Sequence, residues 1–164
     1  MSRKTNKQNK ATIAERLKMY VDYCRELDQY DMDPEPRNYS KAIEYAMGYM
    51  DASDQGRGYR WLDIFHEDKP AGFLILGYDL PVHGIGLYIC EAYILPELRN
   101  RGLMTQAVTK RLLKGNKLYL TIYDKNTDAR QFWANLLKNA KAELVSEELI
   151  DEVAGMSEYV YDVK

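Results

Sequence analysis

The fold of this chain is decided by the stretch Glu91-Ala92-Tyr93-Ile94-Leu95-Pro96-Glu97-Leu98-Arg99-Asn100-Arg101-Gly102-Leu103-Met104. Its apolar first part predicts a buried strand, which ends at Pro96 because proline has no backbone N–H for a sheet. A helical pattern resumes after Gly102, and the first N–H groups of a helix have no partner within it. Such groups, with the positive end of the helix dipole, bind phosphate. The stretch therefore predicts a phosphate site, although a plain strand-to-helix connection with solvated arginines explains the same pattern.

The side chains of this stretch also suit a phosphate. Gly102 lets a phosphate approach where a Cβ would collide with it. Arg99 and Arg101 are placed to pair with phosphate oxygens. By itself the pattern is of modest specificity, and its interpretation depends on the rest of the chain.

The remaining sequence predicts a mixed α/β sheet. Apolar residues at steps of three and four predict one helix over about residues 11–29 and a second from about residue 40 to a loop at 54–58. A hairpin pattern follows, with strands at about 59–65 and 71–78. The later elements are a strand at 87–95, a helix at about 100–114, a strand at 118–123, a helix at 129–140, and strands near 142–148 and 156–163. The predicted order is α-α-β-β-β-α-β-α-β-β.

Composition limits the class of protein. The length of 164 residues fits one domain, and 46% hydrophobic with 29% charged residues is typical of a soluble globular protein. The chain has no apolar run of about 18 residues, so we expect no membrane span, and its N-terminus lacks the apolar region of a signal peptide. Cys24 and Cys90 are spaced for neither a disulfide framework nor a zinc site, and we predict no metal. These features favour the cytoplasm.

Charge is distributed unevenly along the chain. The net charge of −2 argues against a general nucleic-acid binder. Residues 1–10 are basic and predict a flexible tail, which leaves residues 11–164 as a single domain. Six acidic residues against one arginine lie between Asp22 and Glu35. This acidic stretch would attract a cationic partner, whereas a solvated helix end and loop explains each acid singly.

A second strand-to-helix junction lies at Asn126-Thr127-Asp128-Ala129-Arg130-Gln131-Phe132-Trp133, where Asn126 is placed as an N-cap. Open α/β sheets bind ligands beyond the carboxyl ends of their strands. With both junctions in this order, the chain resembles the GNAT family of N-acetyltransferases. The stretch Glu91–Leu103 is similar to the family's acetyl-CoA motif with its R/Q-x-x-G-x-G/A loop, and Asn126–Trp133 is similar to its N-x-x-A-x-x-F-Y motif.

This resemblance implies a fold and a cofactor. The implied fold class is α/β, a GNAT-like mixed central sheet of about six strands flanked by about four helices. The N-terminal first strand is expected to be reduced or absent, since the start of the chain is too polar. The implied cofactor is acetyl-CoA, with its pyrophosphate on the backbone amides of the loop and its pantetheine arm along the strand edge. The residues implied to bind it are Ala92, Tyr93, Ile94, Arg99, Asn100, Arg101, Gly102, Leu103, Met104, Thr105, Asn126, Ala129 and Trp133.

The resemblance also implies a reaction, the direct transfer of an acetyl group from acetyl-CoA to a primary amine. Glu91 matches an acid often found in the family's central strand and is a candidate base for the amine's proton, or a charge that only orients the acceptor. A backbone N–H near Ala92 is the candidate donor to the thioester oxygen. Tyr123, at the end of its strand, is a candidate proton donor to the leaving thiolate, with a core or surface role as the alternative.

Two residues depart from the family's motifs. Met104 stands where glycine or alanine is usual, and we expect it to narrow the pyrophosphate loop. Trp133 replaces a tyrosine, and its indole N–H cannot reprotonate a sulfur. Both residues support an alternative function, a non-catalytic interaction module of this fold that binds CoA weakly or not at all.

The expected acceptor is a cationic amine, because the acidic stretch occupies the part of the chain that covers the acceptor in this family. A small polyamine-like or aminoglycoside-like molecule and a protein lysine both fit. No nucleic acid or membrane partner is expected, and a homodimer stays open.

Overall fold

Helix α1 (Ile13–Leu27) begins at a reciprocal capping box. The computed structural model of the chain describes residues 10–30, 39–79 and 85–164. In this structure the Thr12 hydroxyl accepts a hydrogen bond from the N–H of Glu15 at 3.2 Å. The Glu15 carboxylate accepts one from the N–H of Thr12 at 2.7 Å. These two bonds satisfy N–H groups that a helix start leaves without partners. The predicted tail over residues 1–9 and three acids of the acidic stretch (Asp31, Asp33 and Glu35) lie outside the described residues.

Six strands form one sheet, and helices lie on both of its faces. The other elements are α2 (Tyr39–Asp54), β1 (Tyr59–His66), β2 (Lys69–Tyr78), β3 (Leu87–Ile94), a 3-10 helix (Pro96–Leu98), α3 (Leu103–Thr109), β4 (Lys117–Tyr123), α4 (Thr127–Asn139), β5 (Ala142–Asp151) and β6 (Met156–Val163). The strand order is β1-β2-β3-β4-β6-β5. The predicted element order, with six strands and four α-helices in the described residues, is confirmed.

The predicted helix over about 100–114 is too long at both ends. Asn100 and Gly102 have left-handed backbones, with φ of 61° and 72°, so α3 begins only at Leu103. At the other end the N–H of Arg111 donates to the carbonyl of Val108 at 2.8 Å, a tighter turn than the α-helical one, and the helix ends at Thr109.

The two faces of the sheet carry separate cores. Helices α3 and α4 pack on one face over an aliphatic core that includes Val108, Leu118 and Leu137. Helices α1 and α2 pack on the other face over an aromatic core that includes Trp61 and Phe73. No helix among the described residues is long and apolar enough to cross a membrane. The cytoplasmic location stays a prediction.

Strands β3 and β4 are the parallel pair of the sheet, and they pair over a short length. Residues Leu87–Ile89 pair with Leu118–Leu120. On the other side of β3, Ile75 pairs with Glu91 but Leu76 pairs with Ile89, so Cys90 is an extra, bulged residue. A bulge bends and twists its strand. Beyond it, the described residues of β3 and β4 form no further pairs, and the two strands separate toward their carboxyl ends.

Candidate functional site

A cleft of about 720 Å³ lies where β3 and β4 separate. Its walls are the second half of β3, the start of α3, the start of α4 and the end of α1. All of the residues predicted to bind a cofactor line it: Ala92, Tyr93, Ile94, Arg99, Asn100, Arg101, Gly102, Leu103, Met104, Thr105, Asn126, Ala129 and Trp133. The fold therefore brings the two junctions, which are well separated in the sequence, to one place.

The loop before α3 has the backbone of an anion-binding turn. The N–H of Gln106 donates to the carbonyl of Gly102 at 3.0 Å, which is the first helical bond of α3. The N–H groups ahead of it belong to the helix start and have no intrahelical acceptor. A Cβ placed on Gly102 would meet no protein atom within 4 Å, so the space beside this residue is open. Gly102 is required for its left-handed backbone, and the open space beside it suits a ligand.

The two arginines of the loop have different surroundings. Arg99 donates from Nε to the carbonyl of Ile94 at 3.0 Å and from Nη2 to Glu26 at 2.5 Å. Its guanidinium also lies 5.7 Å from the ring centre of Tyr93. Arg99 thus joins the end of β3 to α1. The exposed Arg101 lies with Nη1 at 3.3 Å from Nε2 of His66 on β1. Arg101 is therefore the less constrained of the two cations.

The start of α4 is organised by Asn126, whose Oδ1 accepts from the N–H of Ala129 at 3.1 Å. Trp133 and Met104 line the cleft, but their side chains are only 7% and 8% exposed and belong to the core on the α3/α4 face. Met104 is therefore largely buried in the core while it also lines the cleft, and the narrowing of the loop stays a prediction.

Glu91 lies on the opposite face, toward α1. Its carboxylate accepts hydrogen bonds from the hydroxyl of Tyr20, at 3.3 Å, and from the hydroxyl of Tyr23. The bulge at Cys90 explains this direction, since it shifts the alternation of side chains along β3. Burial, and then the charge of Glu91, raise the pKa of both tyrosines well above the usual value, so both stay protonated at neutral pH. Glu91 is not among the residues that line the cleft, whereas Tyr23 is.

The proton donor predicted for the thiolate is in a different place. Tyr123 is the last residue of β4 and is half-buried, and it is not among the lining residues of the cleft. Its carbonyl accepts from the N–H of Asn126 at 2.9 Å, so Tyr123 lies next to one cofactor residue without lining the cleft, and its role as proton donor stays a prediction.

The end of α1 forms a wall of the cleft that the sequence did not predict. Tyr23, Glu26, Leu27 and Tyr30 line it from this side. Their spacing of three and four residues places them on one side of the helix, but only Leu27 belongs to the apolar stripe that predicts the helix, so the pattern does not mark a ligand site. Burial raises the pKa of Tyr93, on the facing strand, to about 12, with further contributions from the negative charges of Glu26 and Asp22. The charge of Glu26, which lines the cleft, and that of Asp22, which lies one turn earlier, therefore act on this part of the cleft, where Arg99 opposes them.

No group of three or more His, Cys, Asp or Glu side chains in the described residues is placed to hold a metal ion. The site consists of a cleft with an open, left-handed loop at one end and an acidic helix end at the other.

Comparison with known proteins gives one family match. The model of the acetyltransferase (GNAT) family matches residues 18–137, which include both junctions and most of the cleft. No protein with a curated description matches the chain in sequence.

Solved structures share the fold at low sequence identity. RimL, a ribosomal L7/L12 alpha-N-protein acetyltransferase, superposes with a TM-score of 0.63 at 14% identity, covering 92% of this chain and 85% of RimL. The PaiA N-acetyltransferase of Thermoplasma acidophilum, in complex with coenzyme A, has a TM-score of 0.56 at 18% identity over 91% and 94%. The microcin C7 self-immunity acetyltransferase MccE, in complex with acetyl-CoA and AMP, has a TM-score of 0.56 at 15% identity over 88% and 86%.

Proposed function

Because the chain belongs to the acetyltransferase (GNAT) family and is an acetyl-CoA-dependent N-acetyltransferase, we propose that its acceptor is a cationic primary amine that binds against the end of α1. The observation that carries this proposal is the acidic end of α1, where Glu26 lines the cleft and Asp22, one turn earlier, acts with it on Tyr93 of the facing strand.

The cleft fits acetyl-CoA in two respects. The open space at Gly102, where a Cβ would touch no protein atom within 4 Å, leaves room for a pyrophosphate beside the first N–H groups of α3. The edge of β3 at Ala92–Ile94, beyond its pairing with β4, offers backbone groups to the amides of the pantetheine arm. Acetyl-CoA, when bound, supplies an activated acetyl thioester.

The acceptor end of the cleft favours a cation for two physical reasons. The carbonyl end of α1, a helix of 15 residues, carries the negative end of the helix dipole. Glu26 and Asp22 lie on its last two turns and raise the pKa of Tyr93, a residue of the opposite wall. Their charges are shared with Arg99, Arg25 and Lys18, so the attraction is moderate rather than that of isolated carboxylates.

We assign the role of proton acceptor to Glu91, since a primary amine is protonated at neutral pH and must lose a proton before it attacks the thioester. Glu91 is half-buried beside the cleft and is hydrogen-bonded to α1. Tyr123 receives no role, because it does not line the cleft.

The test compares four acceptor amines and then removes one acidic side chain of the protein. Purified protein is incubated with acetyl-CoA and one of four amines: spermidine, kanamycin, a lysine-containing peptide or butylamine, which carries a single charge. Acetylation is followed by mass spectrometry and by release of free thiol. We expect at least one of the three larger acceptors to be acetylated with a kcat/KM at least about fivefold above that of butylamine, because two unit charges about 4 Å apart in water already interact by about 1 kcal/mol, which is a factor of about five.

The Glu26→Gln variant, which removes the acid of α1 that lines the cleft, should lower kcat/KM for that acceptor by about threefold to tenfold and leave butylamine less affected. The matched control is Glu44→Gln, which removes an exposed acid of α2 that does not line the cleft. Equal losses in both variants, or an equal loss for butylamine, would contradict the acidic wall as the acceptor site.

A further inference from the structure

Two tyrosine hydroxyls donate to the same carboxylate, and only one of them is at the cleft. Tyr20 bonds to Oε1 of Glu91 at 3.3 Å, and Tyr23 bonds to Oε2. Tyr20 is 3% exposed and belongs to the core between α1 and the sheet. Tyr23, one helical turn further along, lines the cleft. The carboxylate therefore contacts the cleft wall through Tyr23.

The surroundings of this carboxylate are rich in phenols and thiols. The titratable groups that interact with Glu91 or its two partners include Tyr20, Tyr23 and Cys24 from α1, Tyr49 from α2, and Cys90 from β3. Burial and then the charge of Glu91 raise the pKa of the Cys90 thiol to about 12. Tyr49 has its pKa raised by the same two causes. Glu91 is thus surrounded by phenols and a thiol whose pKa values are raised, and these groups stay protonated at neutral pH.

We propose that the hydroxyl of Tyr23 relays a proton from the acceptor's ammonium group to Glu91. The proposal rests on the proposed function, since it needs an amine bound in the cleft. In this step the ammonium N–H bond breaks as its proton passes to Oη of Tyr23, and the Oη–H bond breaks as that proton passes to Oε2 of Glu91. The products are a neutral amine, an unchanged tyrosine and a protonated Glu91, so no other reactant is required.

The geometry favours this route over direct contact between amine and carboxylate. Glu91 does not line the cleft and is turned toward α1 by the bulge in β3, while Tyr23 lines the cleft and its hydroxyl donates to Oε2 of Glu91. A phenol that is both donor and acceptor can pass a proton without becoming charged. Tyr23 is held in place by rings on both sides, with ring centres at 5.8 Å from Tyr20, 5.7 Å from Phe73 and 5.9 Å from Tyr93.

The test uses Tyr23→Phe and its matched control Tyr20→Phe, each of which removes one hydroxyl bonded to Glu91. With the best acceptor of the four amines, we expect Tyr23→Phe to lower kcat by about 100-fold at pH 7, the lower end of what general acid–base catalysis contributes. Tyr20→Phe should lower it by less than about threefold, since its hydroxyl does not reach the cleft. Thermal unfolding followed by circular dichroism checks that both variants fold.

The pH dependence of kcat separates a relay from a structural role. For the wild type we expect kcat to change little above neutral pH. For Tyr23→Phe it should rise about tenfold per pH unit until the bound amine ionises unaided, near the usual value of about 10.4 for a lysine amine. The double variant Tyr23→Phe/Glu91→Gln should lose no more than the larger single loss, because two members of one relay act as a unit.

Three results would overturn the relay. These are a Tyr23→Phe activity within about threefold of the wild type, a loss equal to that of Tyr20→Phe, or a loss that is the same at every pH. If the wild type binds acetyl-CoA by calorimetry but acetylates none of the amines, the proposed acceptor fails, and the relay fails with it. If the wild type acetylates an amine and Tyr23→Phe does so equally well, only the relay fails.

Discussion

The two faces of the sheet are built from different kinds of side chain. The face under α3 and α4 is largely aliphatic, with Leu118, Leu120 and Leu137 almost fully buried. The face under α1 and α2 is aromatic, and it also buries charge. Arg16 of α1 and Asp63 of β1 form an ion pair whose side chains are 11% and 5% exposed. The first face therefore depends on apolar packing, and the second depends on polar groups that must find their partners.

Asp63 shows how the second face pairs a buried charge with hydrogen-bond donors. Its carboxylate accepts from Nε of Arg16 at 2.9 Å, from Nη2 of Arg16 at 2.7 Å, from the indole of Trp61 at 3.0 Å, and from the N–H of Ala11 at 3.1 Å. These bonds attach the start of α1 to the edge strand β1. Since α1 carries a wall of the cleft, the proposed acceptor side of the site is held by specific pairs, while the proposed cofactor side is held by a continuous core.

The largest effect is expected when this buried pair is broken. Asp63→Asn should lower the free energy of unfolding by about 3–5 kcal/mol, because it leaves the Arg16 charge buried without a counter-ion. Chemical denaturation monitored by tryptophan fluorescence measures the change. The control is Asp162→Asn, which breaks the exposed Lys117–Asp162 pair (3.0 Å) and should cost less than about 1 kcal/mol. Equal costs would mean that the pair at Asp63 contributes no more than a surface pair.

The second-largest effect is expected on the affinity for acetyl-CoA, at the proposed cofactor side of the cleft. Gly102→Glu should weaken acetyl-CoA affinity at least about 100-fold, or about 2.7 kcal/mol, because it adds bulk and negative charge where the pyrophosphate is proposed to bind. Isothermal titration calorimetry gives the affinity directly. Gly115→Glu is the matched control, since Gly115 also has a left-handed backbone (φ 82°) and open space but does not line the cleft. A similar loss of affinity in both variants would show that strain, and not the site, causes the effect.

The aliphatic face and its junctions were largely predictable from the sequence. Periodicity of two and of 3.6 residues located the strands and helices, and the two junctions predicted the residues that now line one cleft. These signals are local, because consecutive residues determine a junction between a strand and a helix. The ends of α3 were not predictable in this way, since the left-handed backbone at Asn100 has no apolar pattern to mark it.

The aromatic face was much less predictable, because its decisive contacts join distant parts of the chain. Glu91 lies 68 residues from Tyr23 and 71 from Tyr20. A single bulged residue at Cys90 determines which face of β3 presents Glu91, and a one-residue shift of register has no signature in composition or period. Arg16 and Tyr23 lie beside the apolar stripe of Ile13, Leu17, Val21 and Cys24 that predicts this helix, so periodicity marks neither of them.

The smallest effects are expected from the loss of a helix cap, and we compare one cap from each face of the sheet. Asn126 caps α4 through the N–H of Ala129, and Thr12 caps α1 through the N–H of Glu15. Replacing either residue by alanine should lower the free energy of unfolding by about 1 kcal/mol, because each removes one capping bond. Denaturant titration measures this loss of unfolding free energy in both variants.

The two variants should differ in binding, because only Asn126 lines the cleft. We expect Asn126→Ala to weaken acetyl-CoA affinity by about threefold to tenfold, since a start of α4 that has lost its cap no longer holds that wall in place. Thr12→Ala should leave the affinity within about twofold, because α1 is also anchored at Asp63. If Thr12→Ala weakened acetyl-CoA as much as Asn126→Ala does, the two faces would be coupled through α1, and the division between a cofactor side and an acceptor side would be wrong.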